Sequence, residues 1–308
     1  MTRKNLIIIV AVIAVAIVSI FAYKTKTNDD MSVMNMGKNK TVQSHPTYSI
    51  NLMSGTKYQP DAATSLHFGI QDQTGKVLKS YDTVHEKKLH LIVVRKDRSY
   101  FQHVHPVLDQ DSGMFMLQPF TFPTDGEYRI FADFTPSNAQ KDPMGMKVSA
   151  TPFKDVSVGA LGKYIPVPLG VDKFKSDVAG FTTNLILLSD DSAGAAYITG
   201  VPLLLGVNIN KDGTPYKNLQ TYLGALGHMV VLGPNLEYIH AHTITEAAAT
   251  QNGLIAFSVT FPTPGQYKLY LQAQADNQVN TTDYTLTLKS INASPSNSQP
   301  QSMPEMSH

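Results

Sequence analysis

The 308-residue chain has no cysteine and no tryptophan. Without thiols it has no disulfide scaffold, no lipid-modified N-terminal cysteine, no thiolate zinc or iron–sulfur site and no blue-copper centre. Charge is also scarce: Asp, Glu, Lys and Arg make up 16% of the residues, against about 25% in ordinary soluble proteins. The 25 basic and 24 acidic residues nearly cancel. That argues against a nucleic-acid partner, because affinity for nucleic acid comes mainly from neutralising phosphates. The chain shows no Gly-rich phosphate loop, no G-x-S-x-G and no H-E-x-x-H. Nothing supplies the positioned acid or base of an enzyme, and none is expected. What the chain does have is 12 methionines and 10 histidines.

Part of the charge deficit sits in residues 6–23, LIIIVAVIAVAIVSIFAY, which contain no charge and follow Arg3 and Lys4. Spanning a bilayer takes roughly 17–25 such residues. A cleaved signal has a shorter apolar core, about 7–15 residues, ending at small residues. The one cleavage candidate, near Ala22, has Ile20 where Ala is preferred. Residues 1–27 therefore read as an uncleaved single-pass anchor in preference to a cleaved signal, with the N-terminus inside. Either reading puts the rest of the chain outside the cytoplasm: at the cell membrane if anchored, secreted if cleaved. Residues 28–44, with Met31, Met34 and Met36, read as a flexible tether, and residues 292–308, with Met303, Met306 and His308, as a disordered tail.

Between these ends the sequence repeats. HLIVVRKDRSYFQHVHP at 90–106 and FTFPTDGEYRIFADF at 120–134 are answered by HMVVLGPNLEYIHAH at 228–242 and VTFPTPGQYKLYLQA at 259–273. Each copy has a histidine, an apolar run, a polar turn, a strand ending in H-x-H, and then F-P-T-x-G-x-Y. The short runs of Val, Ile, Leu, Tyr and Phe broken by turn residues are an all-β signature. The expected architecture is two tandem immunoglobulin-like β-sandwiches, at 45–158 and 179–291, joined by a linker at 159–178. Each is long enough to bury a core without disulfides. The tyrosines Tyr128 and Tyr267 are expected to tie their hydroxyls to nearby backbone at a corner. Residues 245–250 could form one helical turn.

Six of the ten histidines occupy the repeated positions: His90, His103 and His105, then His228, His240 and His242. Successive strand side chains alternate faces, so H-x-H presents two imidazoles on one face, about 7 Å apart. Hairpin pairing sets His90 across from residues 103–105 and His228 across from about residue 240. The two hairpin loops differ by one residue, and a bulge is one way to hold the register. Imidazole, with an ordinary pKa near 6.5, is mostly neutral at pH 7 and available to Cu(II), Zn(II) or Ni(II). Asp133 is the candidate fourth ligand in copy one. Its counterpart Gln272 is a much poorer ligand, so the first domain is expected to bind metal more tightly. His67 and His85 are further candidates in copy one only. The competing reading is that these histidines merely brace a hairpin. Methionines in the two ends, and at Met144 and Met146, would suit Cu(I) as soft ligands, while Met114, Met116 and Met229 read as core filler.

The segments HLIVVRKDRSYFQHVHP and FPTDGEYRIFADF resemble those of bacterial extracytoplasmic proteins associated with copper and other heavy metals, the YtkA-like and CopC-like β-sandwich modules. The resemblance covers about residues 85–135 and 222–273. Copy two departs from it, with Thr243 in place of Pro106 and Gln272 in place of Asp133. It implies a membrane-tethered protein that buffers or delivers copper, with zinc as the other candidate ion. A metal transporter or acceptor protein would be its partner. The alternative is an immunoglobulin-like module that binds protein or glycan, in which the histidines only shape the hairpin.

Overall fold

The computed structural model describes residues 47–143, 145–188, 199–244 and 252–289. The expected anchor, tether and tail, with their methionines, the helical turn at 245–250 and Met144 lie outside these residues. Among the described residues no helix is long and apolar enough to cross a membrane.

The described chain is all-β, as its short β-branched and aromatic runs require. The first half contributes β1 (Ser49–Leu52), β2 (Lys57–Tyr58), β3 (Ala63–Gln71), β4 (His90–Arg95), β5 (Phe101–Val104), β6 (Val107–Asp109), β7 (Met114–Thr121), β8 (Gly126–Asp133) and β9 (Phe153–Val158). The second contributes β10 (Lys175–Val178), β11 (Phe181–Leu187), β12 (Pro202–Lys211), β13 (Thr214–Pro215), β14 (His228–Leu232), β15 (Tyr238–His242), β16 (Leu254–Thr260), β17 (Gly265–Ala275) and β18 (Gln278–Leu288). Each half forms two sheets. In the first the orders are β1-β3-β7-β6 and β2-β9-β8-β4-β5; in the second they are β10-β11-β12-β13, with β16 beside β12, and β15-β14-β17-β18.

Each pair of sheets closes over its own core. Phe68 and Phe115 from one sheet meet Leu91, Val93 and Ile130 from the other. Val207 and Phe257 likewise meet Met229, Val231 and Leu269. Met229 is core, but Met116 is 40% exposed, because Leu117 and Phe115 take the inward positions on β7. At the corners, Tyr128 and Tyr267 are fully buried, and their hydroxyls donate to the Thr124 and Thr263 carbonyls at 2.9 and 2.7 Å.

The two halves then meet face to face. Strand periodicity sends Leu91 and Val93 into the first core and Ile92 and Val94 to the opposite face of the sheet. There Ile92, Val94 and Phe131 pack against Val230, Leu232 and Tyr270 in a third apolar cluster. The contacts are reciprocal. Phe101 stacks on Tyr270 with ring centroids 4.4 Å apart, and Phe131 stacks on Tyr238 at 5.1 Å. Ladder register makes Phe101 the counterpart of Tyr238, and Phe131 that of Tyr270. This is the self-complementary pattern of a two-fold interface, here inside one chain. All described residues belong to one compact unit.

Candidate metal centre at the junction of the halves

The histidines occupy the same face as this third cluster, continuing its rows along the strands. In the second half the ladder pairs His228 with His242 and Val230 with His240. In the first, Ile92 pairs with His103, and His105 comes to His90. The registers are therefore equivalent. The extra residue of the first hairpin is absorbed in its turn, which closes from Arg95 to Tyr100 against Gly233 to Glu237 in the second. No bulge is needed.

His90, His103 and His105 converge. His90 Nδ1 lies 3.0 Å from His103 Nε2 and 3.2 Å from His105 Nε2, and the latter two are 3.1 Å apart. Outer hydrogen bonds fix two of the tautomers. His90 Nε2 donates to the Val84 carbonyl at 3.0 Å, and His103 Nδ1 donates to Gln272 Oε1 at 2.8 Å. In the neutral rings His90 Nδ1 and His103 Nε2 are thus bare lone pairs, aimed at the same spot with His105 Nε2. Three nitrogens cannot satisfy one another with at most one proton among them. Their spacing suits a tetrahedral ion instead, whose ligands at about 2.0–2.1 Å lie about 3.3 Å apart.

The second half repeats the outer bonds with one exchange. His228 Nε2 donates to the Tyr222 carbonyl at 2.8 Å, as His90 does to Val84. His240 Nδ1 donates to Asp133 Oδ2 at 3.0 Å, as His103 does to Gln272. Asp133 and Gln272 hold equivalent positions, opposite His90 and His228, and each serves the histidine of the other half. Asp133 thus does not join the tripod. Its carboxylate is taken up across the junction by His240 and by the Tyr238 hydroxyl, also at 3.0 Å.

His240 does not join the second convergent group, which is His85, His228 and His242, with ligand nitrogens within 4.8 Å of one another. His85 crosses from the first half to stack on His242, ring centroids 3.9 Å apart. His240 sits between the groups, 5.8 Å from His90 and 5.7 Å from His228 by centroid. The two sites expected in separate domains are one continuous array. His67 lies on β3 opposite Met116, in a sheet that carries none of these rings. Sequence reasoning missed the bracing roles of Gln272 and Tyr238. The unbroken apolar runs after His90 and His228, LIVV and MVVL, were the available signal, because strands covered on both faces lose their polar alternation.

The family model of a domain of unknown function, DUF8832, matches residues 40–149 and 192–290. The chain belongs to the DUF8832 family. Each matched segment carries one copy of the histidine motif, as the repeat requires. No curated protein matches the chain. Among solved structures, a marsupial T cell receptor is similar at 8% identity and a TM-score of 0.23, covering 79% of this chain and 97% of the receptor chain. A Salmonella alpha-2-macroglobulin mutant is similar at 12% identity and a TM-score of 0.25, covering 83% of this chain and 16% of that one.

Burial favours the neutral ring at six histidines of the array. Loss of water, reinforced by neighbouring imidazoles, lowers His103 to about 2, His105 and His242 to about 3, and His228 to about 4. Burial likewise depresses His85 and His90. Burial opposes the charge on Asp133, yet the hydrogen bonds from His240 and Tyr238 outweigh it and hold the carboxyl below its usual value. The same burial, with Asp133 adjacent, drives the Tyr238 phenol well up. The array opens on a cavity of about 340 Å³ whose wall includes His85, His90, Asp133, His240 and His242, with Lys87 and Lys88.

Proposed function

We propose that the chain binds a late first-row transition-metal ion, copper in the first instance and zinc as the alternative, through His90, His103 and His105. The observation that carries this reading is the convergence of three imidazole nitrogens at 3.0–3.2 Å, with the outer nitrogens of His90 and His103 already committed to Val84 and Gln272. Outer-sphere bonds of this kind orient metal-bound histidines and raise their basicity. Neutral nitrogen donors without thiolate favour Cu(II) and Zn(II) over hard cations.

On this reading the protein is a holder of metal and not an enzyme. It buffers or delivers copper outside the cytoplasm, tethered by residues 6–23, and hands the ion to a transporter or acceptor. Each half is an immunoglobulin-like sandwich, supported by two sheets over one core and a corner tyrosine bonded to backbone.

The test is calorimetric titration of the full-length protein with Cu(II) and Zn(II). Binding that is weakened strongly by His103→Ala with His105→Ala is expected. No binding, or binding unchanged in that variant, overturns the proposal.

A further inference from the structure

We infer that His85, His228 and His242 form a second ion site, separate from the tripod, with ligands drawn from both halves of the chain. The inference rests on the reading of the protein as a metal binder, but on different residues.

Buried nitrogens without partners supply the first argument. His228 Nδ1 and His242 Nε2 are inaccessible to water and have no hydrogen-bond partner. His228 cannot use its other nitrogen, which donates to the Tyr222 carbonyl. His85 meets the same turn, its ring facing the backbone of Leu223. One turn of the second half thus meets two of the three rings, and it orients His228 so that Nδ1 is left bare.

Backbone geometry supplies the second. His85 and Glu86 have φ of 47° and 64°, and the equivalent turn of the second half has Leu223 at 51° and Gly224 at 74°. Both turns close by reciprocal bonds, Val84 with Lys87 and Tyr222 with Ala225. Left-handed backbone is uncommon outside glycine, though histidine tolerates it better than most residues. The two turns are the same device, but only the first carries an imidazole at its tip. That ring reaches across to lie 3.9 Å from His242 and 5.2 Å from His228 by centroid.

Access separates the two sites. His85 and His242 of the second site line the cavity, whereas of the tripod only His90 does. The second site therefore exchanges its ion with solvent more readily than the tripod does. An ion held there also ties the halves together, because His85 comes from the first half and His228 and His242 from the second.

Equilibrium dialysis of the full-length protein against excess Zn(II), followed by elemental analysis, counts the ions. Two per chain are expected. His85→Leu, which installs the residue the second half carries at this turn, should leave one. The His103→Ala with His105→Ala variant should also leave one, and the triple variant none. Competition with a chelator should strip the wild type in two phases, and His85→Leu should abolish the faster one. A single ion in the wild type that His85→Leu leaves in place, or two ions persisting in His85→Leu, overturns the second site. Failure of the tripod reads differently, as undiminished binding in the double variant with loss in His85→Leu.

Discussion

His103 donates its Nδ1 hydrogen to Oε1 of Gln272, 2.8 Å away across the junction of the two halves. The bond selects the His103 tautomer that leaves Nε2 free, so a side chain 169 positions distant in sequence prepares the tripod for an ion. Gln272→Ala should weaken Zn(II) binding about 10–100-fold, the usual cost of removing an outer-sphere partner. Competitive titration against a chromogenic chelator measures this. An unchanged affinity would mean that the tautomer is set elsewhere.

Occupancy should stabilise the fold. At a free-ion concentration a hundred times the dissociation constant, one site contributes about 2.7 kcal/mol. Thermal melting of the full-length protein should shift upward with Zn(II), and the shift should shrink in the His103→Ala with His105→Ala variant. Chelator addition should reverse it.

Acid should destabilise the metal-free protein earlier than carboxylates alone would dictate. His103, His105, His228 and His242 titrate at about 2, 3, 4 and 3 in the fold, against about 6.5 in an unfolded chain. As pH falls below about 6.5 the unfolded state takes up protons that the folded state refuses, so stability declines toward the folded values. Above about pH 6.5 both states are neutral at these positions, and the histidines add no slope. Urea midpoints should be level above about pH 7 and fall steadily from about 6.5 to about 4.5. A level profile through that window would contradict the burial assigned to these rings.

The junction itself should be expensive to open. Tyr270 stacks on Phe101 and donates its hydroxyl to the Arg98 carbonyl at 2.6 Å. Truncating a large buried aromatic costs about 3–5 kcal/mol. Tyr270→Ala should lower stability by about that much and weaken metal binding as well, because Gln272 follows two residues later on the same face of β17. Chemical denaturation and zinc titration of one preparation test both effects.

Much of this arrangement was legible in the sequence. H-x-H on a strand put both rings on one face, the hairpin turns fixed their approach to His90 and His228, and the corner tyrosines bonded where the F-P-T-x-G-x-Y spacing suggested. What could not be read was the opposing surface. A strand pattern tells which residues share a face but not what covers that face. Asp133 was therefore assigned to the histidine opposite it, when its real partner is His240 of the other half. His85 was named as a candidate for copy one for the same reason, when the rings it meets are His228 and His242, encoded far downstream. The clue lay in HLIVV and HMVVL. Their outward residues are as apolar as their inward ones, which is the mark of a strand covered on both sides.

Reciprocal contacts such as Phe101 with Tyr270 and Phe131 with Tyr238 are how separate subunits associate, and subunits come apart on dilution. Covalent joining replaces bulk concentration with a local one on the order of millimolar. The histidine array is therefore complete in a solitary molecule, however sparsely the protein is distributed. Joining also releases the two sides from being identical. A pair of like subunits must carry the same residue at both equivalent positions, acid in both or amide in both, whereas one chain can set Asp133 against His240 and Gln272 against His103.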